Sequence, residues 1–306
     1  LLLCLLPLEA RAAAAAWDGT VDISWYDPAQ TEYTIDTPAK LAGLAALVNG
    51  MADPAAKAIV GDRSYLVSKK VDNVMLVGAG GGNVFDTVYT GGVDFAYKTI
   101  YLTADLDMGG RKAADGSWPG PNWTPIGGKF PMKPQEASGD CLTLDTRFNG
   151  VLDGQGHTIY NLYCDRYAAK GFPYSMAVGV VGFLGGNADY ANGGNGEKTE
   201  AEFKNGWQPA VRNLVLGSGS IYGRRMVGGI VGRVGETSNG VVIENCGNRA
   251  DVRNTDSKGV GGICGSTSGA GTIRGCYNTG TISTTYTCPA GGILGTNEGM
   301  DVYNCY

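Results

Sequence analysis

The chain of 306 residues is short of most of what reactive sites are built from. It holds one histidine, His157, and none of its cysteines forms a CxxC pair. An HExxH zinc-protease helix is therefore excluded, and so are thiol-pair zinc or redox motifs. Charge is also sparse: 24 Lys and Arg against 29 Asp and Glu leave −5, with no basic cluster. The footprint of a nucleic-acid binder is missing, so neither nucleic acid nor another polyanionic partner is expected. No apolar run past the first residues approaches the roughly 18 needed to cross a bilayer. The sequence VGAGGGN at 77–83 lacks the GxGxxG spacing and a following helix. No cofactor is expected there, and no spacing on the chain selects a metal-ligand set.

Glycine, in contrast, is abundant at 50 residues, about twice ordinary usage. It has no Gly-X-Y period and lies beside apolar residues, which implies many tight bends around a core. The opening LLLCLLPLEARAAAAA, residues 1–16, reads as the remnant of a secretory signal, placing the mature start near Trp17 and the protein outside the cell. Residues 17–93 then form a cap region. Within it DTPAKLAGLAALVNG predicts a helix near 37–49: Asp36 or Thr37 caps it, Pro38 suits its first turn, and Asn49-Gly50 stops it. Leu41, Leu44, Ala45 and Val48 make its apolar face.

Residues 94–306 repeat. IYNL (159–162), VRNL (211–214), IENC (243–246), IRGC (273–276) and VYNC (302–305) start 52, 32, 30 and 29 residues apart. Between them fall GFLG (182–185), GIVG (229–232), GICG (262–265) and GILG (292–295). Units this short and glycine-rich suit a parallel β-solenoid, one repeat per coil, rather than paired helices. A bend at Asn245 would turn both Ile243 and Cys246 inward. The last unit, DVYNCY, stops inside the pattern, so the repeats are expected to be truncated at the C-terminus. By this alignment Cys246, Cys276 and Cys305 take the place of Leu162 and Leu214, and Cys264 that of Leu184, Val231 and Leu294. A site that accepts leucine is apolar, so these cysteines are expected to be packed thiols. Cys141, Cys164 and Cys288 stay unassigned, and a pair of them could form a disulfide in an exported protein.

The segments YTIDTPAKLAGLAALVNG, KTIYLTADLDM, WTPIG and FNGVLDGQGHTIYNL, with the GG-I-x-G and I-x-N-C-Y-N-x-G-x-I coils, resemble the GLUG-motif surface proteins of bacteria. Similar repeats occur in the non-catalytic N-terminal regions of IgA-specific metallopeptidases. The resemblance implies an all-β, right-handed parallel β-helix with a short N-terminal capping helix, displayed at the cell surface.

On this basis three functions stay open: an adhesin-like recognition or stalk module for glycans or host and matrix proteins, an accessory region of a larger surface enzyme, and a polysaccharide lyase or hydrolase. The ligand-binding candidates are the loop aromatics Trp118, Trp123, Tyr190 and Trp207. A hydrolase would need two opposed carboxylates, for which Asp105, Asp107 and Asp153 are the acidic cluster. A lyase would need a base beside bound calcium, and Arg224, Arg225 and Arg233 would be its cations.

Overall fold

The computed structural model describes residues 15–50, 70–77, 83–89, 92–131, 143–166, 176–186, 190–191, 201–256 and 258–306. Cys4, Cys141 and most of the leader segment lie outside them. The β-branched segments form short strands that leave the ladder at every corner and return one rung on. One coil shows the scheme: Val241–Glu244, Gly247–Asn248, Asp251–Asn254, Val260–Gly261 and Cys264–Thr267 follow one another. Gly271–Arg274 then lies in register beside Val241–Glu244. Repetition yields five parallel stacks, of seven, five, four, four and four strands, and hence a parallel β-solenoid.

The first stack carries the clearest pattern. Its central column, Ile100, Leu152, Val211, Ile243 and Ile273, is fully buried. The neighbouring column points outward and reads Tyr101, Asp153, Arg212, Glu244, Arg274, Tyr303. Its charges alternate in sign from rung to rung, which suits in-register strands, where like charges would repel. Arg212 Nε is 2.9 Å from Asp153 Oδ2, and Arg274 Nε 2.7 Å from Glu244 Oε2.

The corner after this stack needs left-handed backbone. Asn213, Asn245 and Asn304 stand there at φ 52–54°, and Gly275 at 62°. Asparagine tolerates that region and glycine has no Cβ to clash. The bend expected at Asn245 is present, and Ile243 and Cys246 are both buried.

Two parts of the expected alignment are corrected. Val211 pairs with Leu152, and Ile159 lies beside Leu216 on the next stack. Leu162 therefore stands opposite Gly219, and Leu214 is the residue that precedes the cysteine column. The cause is an insertion: Gly154–His157 fills a corner that Asn213 and Leu214 fill one coil later. Likewise Val231 pairs with Val181, so GVVG at 179–182 is the equivalent motif, and Leu184 stands beside Val234. Each corner uses the same apolar–Asn–Gly vocabulary, so letter patterns alone cannot tell one corner from the next.

The helix runs Pro38–Asn49, with Thr37 Oγ1 accepting from Lys40 N and Gly50 at φ 49° as the stop. It is buried on nearly every side rather than along one face. Residues 17–30 lie over it: Asp22 N donates to Ala39 O at 3.0 Å, and a Cβ on Gly43 would sit 1.9 Å from Asp22 O. Trp25, Tyr26, Tyr33, Phe95 and Phe148 form a chain of ring contacts at this end. Buried Asn49 donates to Pro125 O at 2.9 Å and accepts from Thr146 Oγ1 at 3.1 Å, which ties the helix end to the solenoid.

Within the remaining cap region Lys70–Val77 and Asn83–Tyr89 pair antiparallel, so the flanks of VGAGGGN are the ends of two neighbouring strands.

Candidate functional site

The acidic candidates are corner acceptors. Asp105 Oδ1 accepts from Thr158 N at 3.0 Å and is 3.0 Å from His157 Nδ1. Asp107 accepts from Gly109 N and Asn161 Nδ2, and pairs with Arg111. Asp153, 3% exposed, accepts from Gln155 N, Asn213 Nδ2 and Arg212 Nε. Burial pushes the Asp153 carboxyl up, but these three donors together outweigh it and hold the group below the usual carboxylate range. Each carboxylate thus bonds to the next coil or to its own corner backbone.

The four loop aromatics occupy four different environments. Trp123 is 1% exposed, with Nε1 at 3.3 Å from the carbonyls of Gly179 and Val180 and its ring edge-on to Trp17. A ring so enclosed has no face to offer a ligand. Tyr190 lies in a short strand paired antiparallel with Thr143–Thr146, and its side chain is outside the described residues. Trp118 stacks on Tyr163, with centroids 5.3 Å apart and planes 6° from parallel. Its loop is fastened to the solenoid by Trp123 N to Tyr163 O at 2.7 Å and by two bonds of 2.9 Å between Asn122 and Asp165.

Trp207 belongs to a cluster that the sequence does not announce. Its Nε1 donates to Asn149 O at 2.9 Å, which fixes the indole on the surface of the coil. Its ring lies 5.5 Å from Tyr97, and Tyr97 meets Phe203 edge-on at 6.1 Å. Lys204 N donates to Tyr97 Oη at 2.9 Å. The result is a platform of three aromatic rings from two segments more than a hundred residues apart.

The backbone beneath it is unusual. Phe95 and Tyr97 sit at φ 58° and 63°, a region that bulky L-residues enter at a cost of about 1–2 kcal/mol each. The first twist drives Phe95 into the core under the helix, fully buried. The second holds Tyr97 outward, 43% exposed. Asn149 Oδ1, beside the Trp207 anchor, is buried and has no hydrogen-bond partner. No residue type at 95 or 97 signals positive φ, so neither Tyr97 nor Phe203 could be singled out from the sequence.

Of the arginine candidates, Arg224 and Arg225 share Asp256 at 3.1 and 3.5 Å. Arg233 lies 5.3 Å from the Phe183 ring centroid. Among the described residues no group of three or more His, Cys, Asp or Glu is placed to hold a metal ion, and no helix is long and apolar enough to cross a membrane. No protein-family model, no curated protein and no solved structure matches the chain.

Proposed function

We propose that this solenoid is a secreted or cell-surface recognition module that takes extracellular glycans on the Tyr97–Phe203–Trp207 platform. The observation that carries the reading is Tyr97: a bulky residue in left-handed backbone, its ring half exposed and flanked by two further rings. Strain of this kind persists where a surrounding structure over-determines it, and it concentrates at functional sites. Aromatic rings present a rigid apolar face with polar tips, the surface that sugar rings pack against. The corner bonds of Asp105, Asp107 and Asp153 favour recognition over hydrolysis, because each carboxylate already serves several donors.

The test is a glycan and matrix-protein array probed with the chain and its variants, with product analysis on the same polysaccharides. Saturable binding without cleavage is expected. Tyr97→Gly relieves the backbone while removing the ring, so binding falls at least tenfold with the melting temperature unchanged or raised. Trp207→Ala is expected to weaken binding as well. Binding that survives both substitutions would remove the platform from the mechanism, and product release would replace recognition with catalysis.

A further inference from the structure

The flank formed by the fourth and fifth stacks gathers arginines in a chain whose net charge is −5. Arg225 directly precedes the strand Met226–Gly228, and Arg233 lies in Val231–Val234. Both reach a small apolar cluster, Met176, Ala177, Phe183 and Met226, that is separate from the main core. The guanidinium of Arg147 lies 3.2 Å from the Phe183 ring centroid, so the cluster carries a third cation.

Apart from Asp256, which Arg225 shares with Arg224, the partners of Arg225 and Arg233 are weak acceptors. Arg225 Nη1 faces Met176 Sδ at 3.8 Å, and Arg233 Nη1 faces Met226 Sδ at 3.5 Å. Arg233 Nη2 meets Ser268 Oγ at 3.4 Å, and its Nε is buried with no hydrogen-bond partner. Arg225 Nε has no hydrogen bond either and stands 3.5 Å from Asp256, which Arg224 also engages. A thioether is a weak acceptor. A guanidinium is a planar fork of five donors whose matching acceptors are the paired oxygens of carboxylate, sulfate or phosphate. Arg233 is therefore held by sulfur, ring and long hydroxyl contacts, and Arg225 by sulfur and a long ion pair shared with Arg224, while part of their donor capacity is unused. Arg225 keeps 37% of its side chain exposed, so an incoming anion can reach it.

We propose that Arg225 and Arg233 form an oxyanion site that takes the carboxylate or sulfate groups of an acidic polysaccharide. The same column continues from Arg233 to Ser266, which is buried, and to Thr296, so these hydroxyls do not select the sugar part of the ligand. The glycan class rests on the function proposed above; the site itself stands on different residues and can fail alone.

Titration with hyaluronate, dextran sulfate, neutral dextran and poly-glutamate tests it. The wild-type chain should bind one or both of the first two, more tightly at low salt, and ignore dextran. Hyaluronate alone would assign carboxylate, and dextran sulfate alone would assign sulfate. Arg225→Gln and Arg233→Gln should each weaken binding at least tenfold, Arg233→Lys less, and Tyr97→Gly not at all. As a check that needs no variant, the bound polysaccharide should protect Arg225 and Arg233 of the wild-type chain from phenylglyoxal, read by peptide mass spectrometry. No binding of either polyanion, equal binding by the Gln variants, or absent protection would overturn the site. Equal affinity for poly-glutamate would overturn the polysaccharide assignment in favour of an acidic peptide. Loss of array binding in Tyr97→Gly together with unchanged behaviour of the arginine variants would leave the platform standing and this site refuted.

Discussion

The first and last described rungs of the solenoid treat the same kind of residue in opposite ways. At the first rung Tyr33 and Ile35 are 4% and 0% exposed, covered by the helix Pro38–Asn49 and by residues 17–30. At the last rung Val302, in the same inward column as Tyr33, is 42% exposed. Ile273, one rung earlier, is fully buried. Side chain and backbone are alike at 273 and 302, so the difference comes from the neighbour alone. Burial in a solenoid is a property of adjacent rungs, and stability is close to a sum of nearest-neighbour interfaces. The helix supplies the missing neighbour at one end.

The largest effect should come from breaking the covered end. Leu44 is fully buried in the helix, so Leu44→Asp places an unpaired carboxylate in the core and should cost about 4 kcal/mol or more. Thermal unfolding should show a collapse of the transition, and an unchanged profile would mean that the helix is not the lid described. Next in size is the contrast within one column. Ile273→Ala should cost about 2–5 kcal/mol and Val302→Ala under about 1 kcal/mol, because the latter leaves little cavity. Equal losses in denaturant titrations would break the comparison between the ends.

What the sequence revealed follows from the range of the interaction that writes each signal. The helix boundaries were legible because caps act locally: Thr37, Pro38 and Gly50 do their work within one turn. The solenoid was legible because each rung repeats the last. The register of the coil that starts at Val151 was not, since its corner at Gly154–His157 is longer than its successors and Asn161, at φ 54°, imitates the Asn213 corner. The wrapping of the helix was hidden too. Residues 17–30 look polar, with Asp18, Asp22 and Asp27, yet these carboxylates accept local backbone N–H groups and leave Trp25 and Tyr26 to pack inward. Of the site, Trp207 was visible as a loop tryptophan. Its partners depend on tertiary contacts across 107 residues and on a backbone twist that no residue type encodes.

The cysteine column sharpens the contrast between the ends. Cys246 and Cys276 are fully buried and follow Leu214 rung by rung, whereas Cys305, in the last described rung, is partly exposed. Cys246→Ser should cost about 1–3 kcal/mol by placing a hydroxyl in an apolar site, and Cys305→Ser much less. Burial also pushes the Cys164 thiol up to about 11 and that of Cys264 to about 12, so neither supplies thiolate near pH 8. Iodoacetamide should label Cys288 and Cys305 in the folded chain and reach the buried thiols only after unfolding. Labelling of Cys246 or Cys264 at the rate of Cys305 would contradict the packing.

The smallest expected effect tests the outward ladder that joins the two ends. Asp153 titrates below the usual carboxylate range when folded, so its unfolded form binds a proton first as pH falls. Its contribution is present at neutral pH, above the unfolded value of about 3.9, and disappears as pH drops through the lowered folded value. Asp153→Asn should remove about 1 kcal/mol or less at pH 7, because Arg212 is partly exposed and the pair is screened by solvent. Below pH 4 the variant and the parent should converge. Arg274→Gln, whose partner Glu244 stands two rungs beyond Asp153, should give a loss no larger. If Asp153→Asn instead costs more than Ile273→Ala, the rungs are held together by the charge ladder, and the apolar columns that distinguish the two ends are secondary.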